Sequence, residues 1–275
     1  MRKSKLQKSP KSKVLEKGYL NIYTALTDSE RRQLSFSRKL KKIKPSWDNT
    51  TIILCKKFEE VLESLDESIK ETLTVLDAGC GHGNYVIDEY RKNIAWASGV
   101  DVNQEAVKRN ICLDEIKFSS LAEIPYPNQS FDIVLSLWVL EHIENPNKIF
   151  KEIFRVLKPG GYFIFCTPNA KSYLLRIKNL MKSKKAVDLV NEKIYGRAEE
   201  DVFPTFYRAN DRETLTNQLR KTHFVNTEVI LNYDPSYTSF NDLTFKLSNL
   251  IDTTCGKYSE NLFKQHIVGV AKRPH

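Results

Sequence analysis

The chain has 275 residues, room for one large α/β domain with additions or two small domains, and 41% are hydrophobic, enough for a buried core. No apolar run approaches the length of a membrane span, and the basic N-terminus lacks an apolar signal core, so a spanning helix is excluded and secretion is disfavoured. The net charge of +9 is lopsided: residues 1–44 hold 14 Lys and Arg against 3 Asp and Glu, the remainder 29 against 31. The basic character therefore belongs to an N-terminal arm, and the rest of the chain lacks the charge of a nucleic-acid-binding domain.

Five cysteines, Cys55, Cys80, Cys112, Cys166 and Cys255, are scattered and odd in number. That pattern argues against a disulfide framework or a zinc site, and it fits a reducing cytoplasm. Cys80 and Cys166 fall at predicted strand ends and read as packing residues.

Residues 1–14 are rich in Lys and Ser and read as disordered. Thr27 or Asp28 caps a helix expected to run through Leu40. The basic run over 38–44 reads first as a solvated face. An anionic membrane surface or RNA is the alternative partner, and sparse aromatic interleaving weakens single-stranded RNA. Residues 45–49 mark a boundary between this arm (1–44) and the main domain (45–275), and 50–66 carry apolar residues at helical spacing.

The central stretch is Val75-Leu76-Asp77-Ala78-Gly79-Cys80-Gly81-His82-Gly83-Asn84-Tyr85. A buried strand runs into a glycine turn and then a helix over 84–92, the geometry of a nucleotide-binding α/β fold. Strands follow over 94–102, 116–118, 131–137 and 161–166, with helices over 105–110 and from Asn145 and Pro146 through Leu157. This alternation predicts a parallel sheet with helices on both faces. Further on come a Lys-rich insertion at 170–205 with a helix over 173–181, and a helix over 211–224 capped by Asp211. A strand over 227–231, an inserted helix over 238–256 and a final strand over 266–272 complete the pattern.

The glycine spacing departs from the dinucleotide pattern, because Asn84 stands where the third glycine is needed. It resembles motif I of the class I S-adenosylmethionine-dependent methyltransferases. Three later stretches resemble the same family in order and spacing: Gly99-Val100-Asp101-Val102, the pair Ser120-Leu121 with Phe131-Asp132-Ile133-Val134, and Arg155-Val156-Leu157-Lys158-Pro159-Gly160-Gly161. The resemblance is close over about residues 50–169 and loose elsewhere. It implies a Rossmann-like seven-stranded fold whose last strand pairs antiparallel beside the sixth, with S-adenosyl-L-methionine as cofactor.

By that resemblance Gly79, Cys80, Gly81 and Gly83 approach the methionine part, and Asp77 orients the turn or reaches the cofactor amine through water. Asp101 takes the ribose diol, for which a carboxylate's two acceptor oxygens are suited. Val102, Ser120 and Leu121 meet the adenine, with serine where many relatives carry an acid. Leu137 ends the fourth strand at the same edge. His142, in Val139-Leu140-Glu141-His142-Ile143, reads either as a general base near neutral pH or, with Glu141, as a brace for the turn. Tyr207 and Arg208 lie in an aromatic segment expected over the cleft. Arg208 either binds a carboxylate or phosphate or pairs with Glu199 or Glu200. Asp132 is expected to be structural, and Trp47 either part of the cover or a packed boundary residue.

These readings point to a cytoplasmic methyltransferase acting on a small molecule, with O-methylation of a sugar, glycolipid or isoprenoid-type acceptor as the expected reaction. The insertions and the arm are expected to cover the acceptor site. No metal site is expected, and the absence of an Asn/Asp-Pro-Pro-Tyr/Phe motif speaks against DNA. The alternatives are an RNA methyltransferase guided by the arm, a non-catalytic cofactor-binding module, and a NAD-dependent dehydrogenase. The sequence leaves the oligomeric state open.

Overall fold

Seven strands form one sheet in the order β3-β2-β1-β4-β5-β7-β6. They are β1 (Thr74–Ala78), β2 (Trp96–Asp101), β3 (Glu115–Phe118), β4 (Phe131–Leu137), β5 (Leu157–Pro168), β6 (Val225–Asn232) and β7 (His266–Lys272). The structure is a computed structural model and describes residues 28–180, 203–256 and 258–275. The expected disorder of 1–14 and most of the 170–205 insertion lie outside those residues. The described helices are α1 (Asp28–Ile43), α2 (Thr50–Ser64), α3 (Glu67–Glu71), α4 (Tyr85–Tyr90), α5 (Gln104–Val107), α6 (Pro146–Val156), α7 (Tyr173–Leu180), α8 (Arg212–Lys221), α9 (Asp242–Cys255) and α10 (Glu260–Phe263).

The central strands β1 and β4 are buried almost throughout because helices cover both faces of the sheet. On one face, Ile149, Phe150, Ile153 and Val156 of α6 and Leu215 and Leu219 of α8 meet Phe163 and Phe165 of β5. On the other, Leu54, Phe58, Val61 and Leu62 of α2 join Val86 and Ile87 of α4. Side-chain caps start these helices where the chain enters them: Asn49 for α2, Asn145 for α6 and Asp211 for α8.

β1 pairs in parallel with β2 on one side and β4 on the other, so the strand order reverses there. A crevice opens outside the carboxyl ends of strands at such a switch point. β7 runs antiparallel between β5 and β6, as expected of the last strand. It therefore begins, at His266, on the edge where the parallel strands end.

The fifth strand exceeds the expected 161–166. Leu157 pairs with Phe131 and the register shifts before Ile133 meets Tyr162, so the Lys158-Pro159-Gly160 bend is absorbed into the strand. The short helices α3 and α10 escape the sequence pattern because neither buries a residue. Asp132 is structural: its Oδ2 accepts from Thr74 N, Thr74 Oγ1 and Lys158 Nζ, at the opposite end of β4 from the glycine turn.

The described part of the basic arm, residues 28–44, is part of the fold. Phe36 of α1 stacks on Phe245 of α9 with centroids 5.3 Å apart, and Lys39 pairs with Asp242 at 2.6 Å. Trp47, just beyond α1, donates from Nε1 to the Tyr233 carbonyl at 2.9 Å. Among the described residues no helix is long and apolar enough to cross a membrane.

Candidate cofactor and acceptor site

The glycine turn hangs on β2, since the N–H groups of Gly79 and Cys80 both donate to the Val100 carbonyl. Gly79 has φ +87°, and a Cβ there would stand 2.4 Å from a methyl of Val139, so the turn and the segment after β4 approach too closely for any side chain. Gly81 differs. Its φ is +42°, but a Cβ would meet nothing within 4 Å, so its outer face opens on free space. Cys80 points inward, buried against Gly99.

Asp101 holds the turn from the next strand. Its Oδ2 accepts from Gly81 N at 2.8 Å and its Oδ1 from Asn103 N at 2.7 Å. Each oxygen keeps a further acceptor position, so the carboxylate can clamp the turn and still receive two hydroxyls. Val102 beside it is 68% exposed. Ser120 Oγ accepts from Ala122 N at 3.2 Å, so the serine also serves its own turn, while Leu121 packs partly against the core. Leu137 is half-buried at the end of β4, against the core of the α2 face.

Asp77 lies under the turn, 1% exposed. Its Oδ1 accepts from Asn84 Nδ2 at 2.9 Å, while its Oδ2 is buried without a hydrogen-bond partner. Burial pushes this carboxyl up to about 7, helped by repulsion from Asp101 and Asp88 and opposed by the Asn84 hydrogen bond. Asn84 is a site residue that the motif reading noted only as a missing glycine. Its Oδ1 caps α4 through Val86 N and Ile87 N, so one side chain both starts the helix and orients Asp77. An asparagine directly before an apolar helical run was the available signal.

On the β4–β5 side, Trp138 takes φ +59° where β4 ends. Its ring meets His266 edge-on with centroids 4.9 Å apart, and Tyr237 meets the same imidazole at 4.9 Å. His266 Nδ1 lies 2.9 Å from Thr50 Oγ1 at the start of α2. The sequence reading missed this group because its members come from four separate parts of the chain.

Glu141 is fully buried after β4. Its Oε2 accepts from Thr167 Oγ1 at 3.0 Å, and that hydroxyl in turn accepts from Asn210 Nδ2 at 2.5 Å. His142 Nδ1 lies 2.8 Å from the Pro204 carbonyl and must donate to it, which places Nε2, 3.8 Å from Glu141 Oε1, as the lone-pair nitrogen of the neutral ring. The segment carrying Tyr207 straps this turn: Phe206 N and Tyr207 N both donate to the Glu141 carbonyl. Arg208 is exposed and makes no ion pair among the described residues. Glu199 and Glu200, its expected partners, lie outside them. The structure thus brings His142, Glu141 and the Tyr207 segment together as a braced turn.

A family of methyltransferase domains matches residues 50–229. The chain belongs to that family. A Mycolicibacterium smegmatis protein named "Probable S-adenosylmethionine-dependent methyltransferase" is 37% identical over 101 residues, 34% of this chain and 38% of that protein. An Idiomarina loihiensis "Ubiquinone biosynthesis O-methyltransferase" is 36% identical over 115 residues, 38% of this chain and 46% of that one. The similarity to these curated relatives thus spans less than half of their length. In fold the chain is similar to an S-adenosylmethionine-dependent methyltransferase from Archaeoglobus fulgidus, with a TM-score of 0.51 and 18% identity over 82% of this chain and all of that one.

S-adenosyl-L-methionine is the cofactor of this methyltransferase family, and when bound it supplies a methyl group activated on a sulfonium. The turn fits such a group. Asp77 offers a buried oxygen lacking a partner, suited to a cationic amine. Gly81 leaves room for close backbone approach, and Asp101 keeps acceptor capacity for a diol.

Proposed function

We propose that this methyltransferase moves the methyl group of S-adenosyl-L-methionine to a small-molecule acceptor, as O-methylation of a sugar, glycolipid or isoprenoid-type compound. The observation that carries the reading is the pairing of a partnerless, buried Asp77 oxygen with an open Gly81 face at one switch point of the sheet. The acceptor lies on the β4–β5 side, beside Trp138, His266 and Tyr237, with Tyr207 and Arg208 on the strap above His142. Methyl transfer asks chiefly for alignment and exclusion of water, and the strap over the β4 turn is suited to both. A hydroxyl acceptor must also lose a proton, a task His142 Nε2 is placed to serve if it turns from Glu141. The name of the Idiomarina relative supports O-methylation in this reading.

The test is calorimetric titration with S-adenosylmethionine and S-adenosylhomocysteine, on the wild type and on Asp101→Ala, each with a melting curve of the unliganded protein. Micromolar binding that weakens at least about tenfold in a folded variant is the expected result. Absence of binding by the intact chain would overturn the assignment. Screening acceptors with labelled cofactor then decides the substrate class, and His142→Ala should lower turnover with little change in cofactor affinity.

A further inference from the structure

Helix α9 has a second apolar face. Phe245 and Ser248 are buried against the fold, yet Leu243, Leu247 and Leu250 are 76%, 55% and 58% exposed. At spacings of four and three they form one stripe on the side away from the core. Three leucines in line on an outward face are unusual for a surface that meets only water.

Helix α1 lies beside α9, joined by the Phe36–Phe245 stack, the Lys39–Asp242 pair and a Lys44–Thr253 hydrogen bond of 3.2 Å. Both helices rest on the same short turn, Pro235–Thr238. On α1 the exposed positions Asp28, Arg31, Ser35, Arg38 and Lys42 form one helical stripe; Asp28 and Arg31 pair with each other at 2.9 Å, which leaves Arg38 and Lys42 as its cationic end, and Ile43 beside Lys42 is 56% exposed. One helix thus presents leucines and its neighbour presents cations.

We propose that α1 and α9 form the face by which this protein docks on an anionic lipid surface. The leucines of α9 enter the boundary between headgroups and acyl chains, and the cations of α1 meet lipid phosphates. Charge complementarity selects this occupant. Residues 28–44 carry seven basic against two acidic residues, while residues 45–275 hold 29 against 31. A second copy of the chain would bring two such basic stripes together, and RNA would engage the cations while leaving the leucines in water. The proposal does not depend on the acceptor assigned above. Vesicle binding is read without cofactor or acceptor, and the calorimetric test contains no lipid, so either can fail alone.

The experiment is flotation of the full-length chain with vesicles of phosphatidylcholine, or of phosphatidylcholine and phosphatidylglycerol at about 3:1. The wild type should float with the anionic vesicles, less so as salt rises. Leu247→Glu/Leu250→Glu and Arg38→Glu/Lys42→Glu should each lower the bound fraction at least about tenfold. Their melting temperatures and S-adenosylhomocysteine affinities should stay at wild-type values. A wild type that stays with the free protein sinks the proposal, as does undiminished flotation of the leucine variant. A leucine variant that loses a wild-type dimer in sedimentation, with flotation intact, would assign the stripe to self-association. Tighter binding to RNA than to anionic vesicles, sensitive only to the Arg38/Lys42 change, would assign the face to nucleic acid and overturn the lipid reading.

Discussion

Gly79 and Gly81 stand two residues apart in one turn and answer to different neighbours. Gly79→Ala drives a methyl into Val139 at a backbone angle that disfavours side chains, so a loss of about 2–3 kcal/mol in stability is expected by thermal or urea unfolding. Gly81→Ala meets no protein atom and should cost about 1–2 kcal/mol from backbone conformation alone, yet weaken cofactor binding more than Gly79→Ala does in whatever fraction stays folded. Asp77 adds a pH dependence. Its carboxyl is raised to about 7 by burial, so the unliganded protein loses stability as pH climbs from the ordinary carboxylate range through about 7. Asp77→Asn keeps an acceptor for Asn84 and removes the buried charge. Its melting temperature should exceed the wild type's at about pH 8, by about 2–4 °C for each ~1 kcal/mol recovered. Wild-type affinity for S-adenosylmethionine should rise through the same pH window, and the variant's should be weaker and flat. The glycine turn was legible from its spacing because the positive φ of Gly79, Gly81 and Gly83 is a local property. Asn84's link to Asp77 was less so, since a cap and a partner for a buried acid look alike in sequence. His266 was not legible at all, because its partner Thr50 lies 216 residues away.

At the scale of elements, α1 and α9 are fastened by ion pairs as well as by the Phe36–Phe245 stack. The Asp252 carboxylate of α9 is mostly buried between Lys264, at 3.1 Å, and Lys44, at 3.7 Å, just beyond α1. Asp252→Ala leaves two lysines that can still reach water, so a loss of about 1–2 kcal/mol is expected, between a surface and a buried pair. Limited proteolysis should then cut first around α1 and α9, while S-adenosylhomocysteine affinity stays within about twofold. Most elements could be read from apolar period and caps: α6, α8, β4 and β7 lie within a few residues of expectation. What period could not give was the docking of α1. Its mean composition is basic and polar, and the side chains that seat it, Phe36 and Leu40, acquire meaning only opposite α9 and the turn beneath it.

At the scale of the molecule, two cores share one sheet. Phe150 anchors one face and Phe58 the other, both fully buried. Phe150→Ala and Phe58→Ala should each cost about 3–5 kcal/mol. Fluorescence and circular dichroism should show one coincident urea transition for both, because β1 and β4 contribute residues to each core. The overall α/β plan was readable from the alternation of strands and helices, whereas the grouping of Trp138, Tyr237 and His266 depends on contacts across the sheet. The position of β7 has a consequence in time. Among the described residues β6 pairs with no strand other than β7, and β7 is made later. On the ribosome, β6 and the open flank of β5 must therefore wait, unpaired, until residues 266–272 have been synthesised and can slide between them. The vulnerable species in the life of this protein is that half-closed sheet, with two bare edges and a slot one strand wide.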